Sequence, residues 1–177
     1  MGQYYKGIIL NENGKTVKCF VDPHSCGNGA KLMEHSYIGN NFVEAIETLI
    51  ANNPQRIVWG GDYADECKQR KTNLYQRCID KKEVDAKVTN KVYKYILNHS
   101  KKQYITKSEK CKKDNLIIHP LPILTCEGNG RGGGDFHINL SKLQGNTELI
   151  GKWSRDLISV SNKIPSDYEF ITFKLEE

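Results

Sequence analysis

The sequence predicts an α+β fold, a mostly antiparallel sheet with one main amphipathic helix packed on it. Three observations carry that prediction: two hairpin signatures, one unbroken helical stripe of apolar residues, and short strand-like runs punctuated by turn residues. With 177 residues, 38% apolar and 27% charged, the chain is expected to form a single domain over residues 1–177 with its own core.

The first hairpin joins a strand around Tyr4 to Leu10 with one around Thr16 to Val21. Asn13-Gly14 between them supplies the positive-φ residues that tight hairpins favour. Asp22-Pro23 ends the second strand, because proline has no N–H to give to a ladder. A helix follows from about Asn41 to Asn52, where Phe42, Val43, Ile46, Leu49 and Ile50 make one stripe. Asn41 is its expected N-cap, with Glu44 reaching back, and Asn52-Asn53-Pro54 its stop. Arg56 to Trp59 reads as a short buried strand running into a turn that starts at Gly60. The spacing of Val84 and Val88 suits a helix. Tyr93 to Leu97 and Gln103 to Thr106 read as a second hairpin around a longer loop. Leu116 to Ile118 and Leu121 to Thr125 are apolar runs that Pro120 and Pro122 prevent from both being central strands. Late strands are expected at Leu157 to Val160 and Phe170 to Lys174.

Six cysteines are scattered without a CxxC knuckle, and no secretory signal opens the sequence, so reduced thiols and a cytoplasmic, host-cell location are expected. No apolar run reaches the roughly 20 residues that span a bilayer. The net charge of +5 hides an asymmetry: Cys67 to Lys113 holds 15 Lys or Arg against 4 Asp or Glu. A basic middle fits either an anionic partner or an ordinary solvated face.

Four places can carry chemistry. Glu127-Gly128-Asn129-Gly130-Arg131-Gly132-Gly133-Gly134-Asp135 concentrates glycine at an entropic cost that a ligand-cradling backbone would justify. Its bare N–H groups can form an anion nest and Arg131 can fork onto a phosphate, with Asn129, Gly132, Gly133 and Asp135 beside it. It matches neither GxxxxGK[ST] nor GxGxxG, so neither a P-loop nor a dinucleotide fold is expected. Lys31 and His35 share a face at i, i+4, and a His beside Glu34 can act as a base or serve as a structural group. Asp62 and Asp65 leave a strand end, but lack the acid density of a calcium loop. His137 lies two residues beyond Asp135 and would face the same side of a strand. No cofactor and no metal are assigned.

The strings MGQYYK, GNGAKLMEHSYIGNNFV, RIVWGGDYAD, YILNHSKKQYI, HPLPILTCEGNGRGGGDF and IGKWSRDLISV resemble a group of small proteins of phages and prophage-bearing bacteria. The likeness covers most of the chain, with Ala30 standing where the group has an aliphatic residue and Phe136 where it has Tyr. It carries no activity, and implies a phage accessory protein acting inside an infected cell. Three functions follow as expectations. One is capture of a small anionic, nucleotide-like ligand by Lys31, His35, Asp62, Asn129, Arg131, Gly132, Gly133 and Asp135, sequestering a host defence signal. Another is a hydrolase at the same site, with His35 or His137 as base and Glu127, Asp135 or Asp62 holding a metal or orienting water. The third is a protein–protein inhibitor or virion component, whose partner is a host or capsid protein. A homo-oligomer also stays open.

Overall fold

The computed structural model describes residues 3–85, 87–107, 111–113, 115–128 and 144–176. Its first hairpin is the expected one, β1 (Tyr5–Leu10) against β2 (Val17–Val21). Gly14 takes φ 64°, and Asn13 Oδ1 accepts the N–H groups of Lys15 and Thr16, closing the loop locally. Then come α1 (Leu32–His35) and α2 (Asn41–Ile50). The cap of α2 is Asn40 rather than the expected Asn41: its Oδ1 accepts from Phe42 and Val43 N–H at 3.0 and 3.4 Å. Either asparagine satisfies the sequence rule, and the extended backbone of Asn40 decides between them.

β3 (Gln55–Gly61) runs antiparallel to β1 over its whole length, from Tyr5 opposite Gly61 to Leu10 opposite Arg56. The expected turn at Gly60 therefore starts later, since both glycines continue the strand. The expected helix near Val84 and Val88 is absent among the described residues. That stretch holds only a 3-10 turn at Gln76–Cys78 and a two-residue β4 (Lys82–Glu83). The second hairpin forms as β5 (Tyr95–Asn98) and β6 (Gln103–Thr106). β7 (Cys111–Lys113) and β8 (Leu116–Ile117) precede α3 (Pro120–Thr125). There the prolines do not break a strand but start a helix, with Pro120 in the first turn and His119 as cap. β9 (Cys126–Glu127), β10 (Gln144–Gly145), β11 (Leu157–Ser161), β12 (Glu169–Phe170) and β13 (Leu175–Glu176) complete the set.

The main sheet runs β12-β6-β5-β11-β3-β1-β2-β4, with β9 added beside β3, and a small second sheet runs β10-β13-β7-β8. Most pairings are antiparallel, while the short strands β4, β9 and β12 join the main sheet parallel. α2 lies on one face, where Phe42, Val43, Ile46 and Ile50 meet Ile9, Ile57, Trp59, Ile96 and Val160. Gly7 permits the close approach, because a Cβ there would stand 2.6 Å from Ile46 Cδ1. The other face of β1–β3 carries Ile8, Leu10, Val17, Phe20 and Val58 under Leu74 and Cys78. No helix among the described residues is long and apolar enough to cross a membrane.

α2 also buries a charge. Glu47 accepts both Lys107 Nζ contacts, at 2.7 and 3.0 Å, and His119 Nε2–H at 3.0 Å. His119 Nδ1 is taken by the Leu121 N–H, which fixes the Nε2–H tautomer. Burial pushes His119 below the usual imidazole range and keeps it neutral. Burial opposes ionisation of Glu47 too, but the Lys107 ammonium and the His119 N–H together hold its carboxyl below the ordinary value. The helix is thus pinned to the end of β6 and the start of α3 by a paired and hydrogen-bonded charge.

Ile46 is fully buried on β1. Ile46→Ala should lower unfolding free energy by about 2–5 kcal/mol in urea titrations. A loss under about 0.5 kcal/mol, the size of a surface substitution, would mean that the stripe does not seat the helix.

Candidate functional site

The residues predicted from sequence do not form one cluster. His35 is wholly buried: its Nε2 accepts Trp59 Nε1–H at 2.9 Å and its Nδ1–H donates to Gly29 O at 2.9 Å. Phe42 packs edge-on against its ring at 4.8 Å. It is a core group and not a base facing solvent. Lys31 stays at the surface beside Glu34, with Nζ to Oε1 at 3.7 Å. Asp62 Oδ1 accepts the Tyr4 N–H, and the Asp62 carbonyl accepts from Asn73, so this carboxylate fastens β1 to the turn after β3. Neither Asp62 nor Asp65 belongs to a group of three or more residues able to hold a metal ion among the described residues. Asn129, Arg131, Gly132, Gly133, Asp135 and His137 lie outside the described residues.

The site that the structure does build stands at the root of the glycine-rich segment. The edge of β3 away from β1 has two partners in succession. β11 takes its start, with Ile158 opposite Gln55 and Leu157 opposite Arg56. β9 takes its end, running parallel with Cys126 opposite Trp59 and Glu127 opposite Gly60. Gly61 lets β9 come this close, since a Cβ there would lie 2.9 Å from the Glu127 carbonyl oxygen. Between the two partners Arg155 and Asp156 still bond Ile57 of β3, the chain before them runs through a series of turns, and a cleft of about 910 Å³ opens.

One wall is a fork. Arg155 Nε and Nη2 donate to the two Glu127 oxygens at 2.5 and 2.8 Å, and Ser154 Oγ–H adds a third bond at 2.6 Å. A two-pronged guanidinium–carboxylate bond fixes both groups in a plane. It also holds the guanidinium still more firmly protonated than usual. Arg155 pays for this position with φ 65°, uncommon for a side chain with Cβ. Its N–H gives to Ile57 O at 2.8 Å and its carbonyl receives Arg56 Nη1 at 3.1 Å, so the backbone is held from both sides. Its neighbour Asp156 bonds Lys101 and Asn98, whereas Arg155 crosses 28 positions to Glu127.

The facing wall is a tight turn. Cys67 bridges to Thr72, enclosing Lys68 to Lys71, with Lys71 at φ 49°. Arg77 clamps the turn by giving Nε to Thr72 Oγ1 and Nη2 to Thr72 O at 3.1 and 2.7 Å. Lys15, Arg77, Lys152 and Arg155 line the cleft against Asp65, Glu66, Glu127 and Glu148, so its interior is balanced in charge. The excess is at the turn, where Lys68, Arg70 and Lys71 are all exposed.

Cys67 is the surprise of this wall. The N–H groups of Gln69 and Arg70, then the Arg77 guanidinium, hold its thiol below the usual range. Burial raises the thiols of Cys19 and Cys26, and pushes Cys78 up to about 12. Compared with known proteins, the chain matches no family model, no curated protein and no solved structure.

A brief pulse of iodoacetamide at neutral pH should therefore label Cys67 first among Cys19, Cys26, Cys67, Cys78 and Cys126, with Cys78 spared, as peptide mass spectrometry would show. Labelling of Cys19 or Cys26 ahead of Cys67 would contradict the electrostatic account of this wall.

Proposed function

We propose that the protein captures a small anionic, nucleotide-like ligand in the cleft between Cys67–Arg77 and Glu127–Arg155, and holds it without turnover. The supporting observation is the floor of that cleft, where Cys126, Glu127 and Gly128 lead directly into the glycine-rich segment. A run of bare N–H groups with Arg131 in its middle is suited to an anion, and the described walls give it a chamber of ligand size. The exposed basic turn at the rim, Lys68, Arg70 and Lys71, would favour the approach of a ligand of negative charge over its neutral analogue. Capture is preferred to hydrolysis because His35, one of the two bases a hydrolase would draw on, is committed to Trp59 and Gly29. In an infected cell such a protein would act by sequestering a host defence signal, as the resemblance to phage proteins implies.

Protein purified from phage-infected cells and then heat-denatured should release a phosphate-bearing small molecule, identifiable by mass spectrometry and intact in structure. Arg131→Ala should release at least about tenfold less, with its melting temperature almost unchanged, because the forked bond of a guanidinium to an anion serves the ligand rather than the fold. Equal recovery from both proteins would remove the glycine-rich segment from the site, and unfolding of the variant would make Arg131 a structural residue.

A further inference from the structure

At the far end of the main sheet stands a second surface whose chemistry is different. Ile96, Ile105 and Val160 point into the core with Phe42 and Ile46. Strand alternation therefore turns Tyr95 and Tyr104 to the opposite face. There they form a ladder with Phe170 on the edge strand β12: Tyr95 to Tyr104 at 5.8 Å edge-on, Tyr104 to Phe170 at 5.4 Å tilted. Phe170 is 52% exposed, so the ladder opens to solvent at the sheet edge. Aromatic rings on adjacent strands of an open sheet face are the platform on which unpaired bases stack.

Positive charge gathers at one end of the ladder, while Glu169 stands exposed beside Phe170 at the other. Asn162 accepts the Lys94 N–H at 2.8 Å and donates to Val92 O at 3.0 Å, which brings the chain around Lys91 and Lys94 beside Lys163. Lys94 Nζ stands 5.3 Å from the centre of the Tyr95 ring. Among the described residues 87–107 and 157–166 there is no acid, so these segments bring only positive charge to this end. At the other end Lys101 and Lys102 are neutralised by Asp156 and Asp167. Rings in a row with ammonium groups at one end match bases in a row with phosphates along one side.

We infer that this face binds single-stranded nucleic acid, bases on Tyr95, Tyr104 and Phe170, and phosphates on Lys91, Lys94 and Lys163. The inference is independent of the cleft. Fluorescein-labelled oligouridine and oligothymidine of about 12 nucleotides, titrated by anisotropy between about 50 and 200 mM salt, test it. Both should bind, or one should if the ribose hydroxyl is read, with log affinity falling against log salt at a slope near about −2 for three phosphate contacts on a single strand. Phe170→Ala should weaken binding roughly tenfold with the slope kept, since it removes stacking and no charge. Lys94→Gln with Lys163→Gln should bring the slope to about −0.7. Unchanged melting temperatures, with Phe170 exposed, keep the variants interpretable. Absence of binding at the lower salt, equal binding of a duplex of the same length, or indifference to both sets of variants would each overturn the inference.

Discussion

One edge of β3 has to serve two strands that cannot meet. β11 arrives antiparallel at Gln55 and Arg56, and β9 leaves parallel at Trp59 and Gly60, so backbone groups between them need other partners. Asp156 O and the Arg155 N–H satisfy Ile57, with Arg155 in a left-handed backbone. The cleft lies beside this junction, lined by Cys126 to Gly128 and by Ser154 and Arg155. Glu127 and Arg155 close the gap with side chains where the backbone cannot, and Ser154 supplies Glu127 with a third bond.

The rest of the molecule holds that divided edge in place. On one face α2 presses Phe42 and Ile46 on β1 and β3, and its buried Glu47 ties it through Lys107 and His119 to the segment leading into α3. α3 leads without a break into β9, and its carbonyls at Ile123 and Leu124 accept the N–H groups of Gly151 and Trp153. Both halves of the forked wall, β9 and the chain before β11, are therefore anchored to the same short helix. On the opposite face Leu74 and Cys78 cover the β1–β3 core and carry the basic turn that forms the facing wall. Removing one charge from the Glu47 network would strand the others in an apolar setting, so the network is a costly point to break.

Local chemistry made much of the fold legible. Asn13-Gly14 announced the first hairpin, and the Phe42-to-Ile50 stripe announced α2, because turn conformation and helical periodicity depend on neighbours in the chain. The same rules misplaced the cap by one residue, where two asparagines stand together. They also read a helix in Val84 and Val88, two apolar residues without a stripe around them. The Gly60-Gly61 pair looked like a turn, whereas Gly61 is bare because β9 comes close to it, a reason that no local pattern carries. At the site the distance in sequence was decisive. Arg155 and Glu127 are 28 positions apart, and the lowered thiol of Cys67 depends first on the Gln69 and Arg70 N–H groups, in a turn clamped by Arg77 that spacing does not show. His35 drew notice as a titratable group on a promising motif, but its value to the protein is the bond to Trp59 that seats α1 on the core.

The account stands most directly on the Glu127–Arg155 fork. A double-mutant cycle with Glu127→Gln, Arg155→Met and the combined variant, read by urea unfolding, isolates that contact from the separate effects of each side chain. Both groups are partly exposed, so the coupling is smaller than for a buried pair, but the two-pronged bond predicts about 1 kcal/mol. Additivity to within about 0.3 kcal/mol would contradict it, and would mean that the two strands beside β3 are held apart by packing alone.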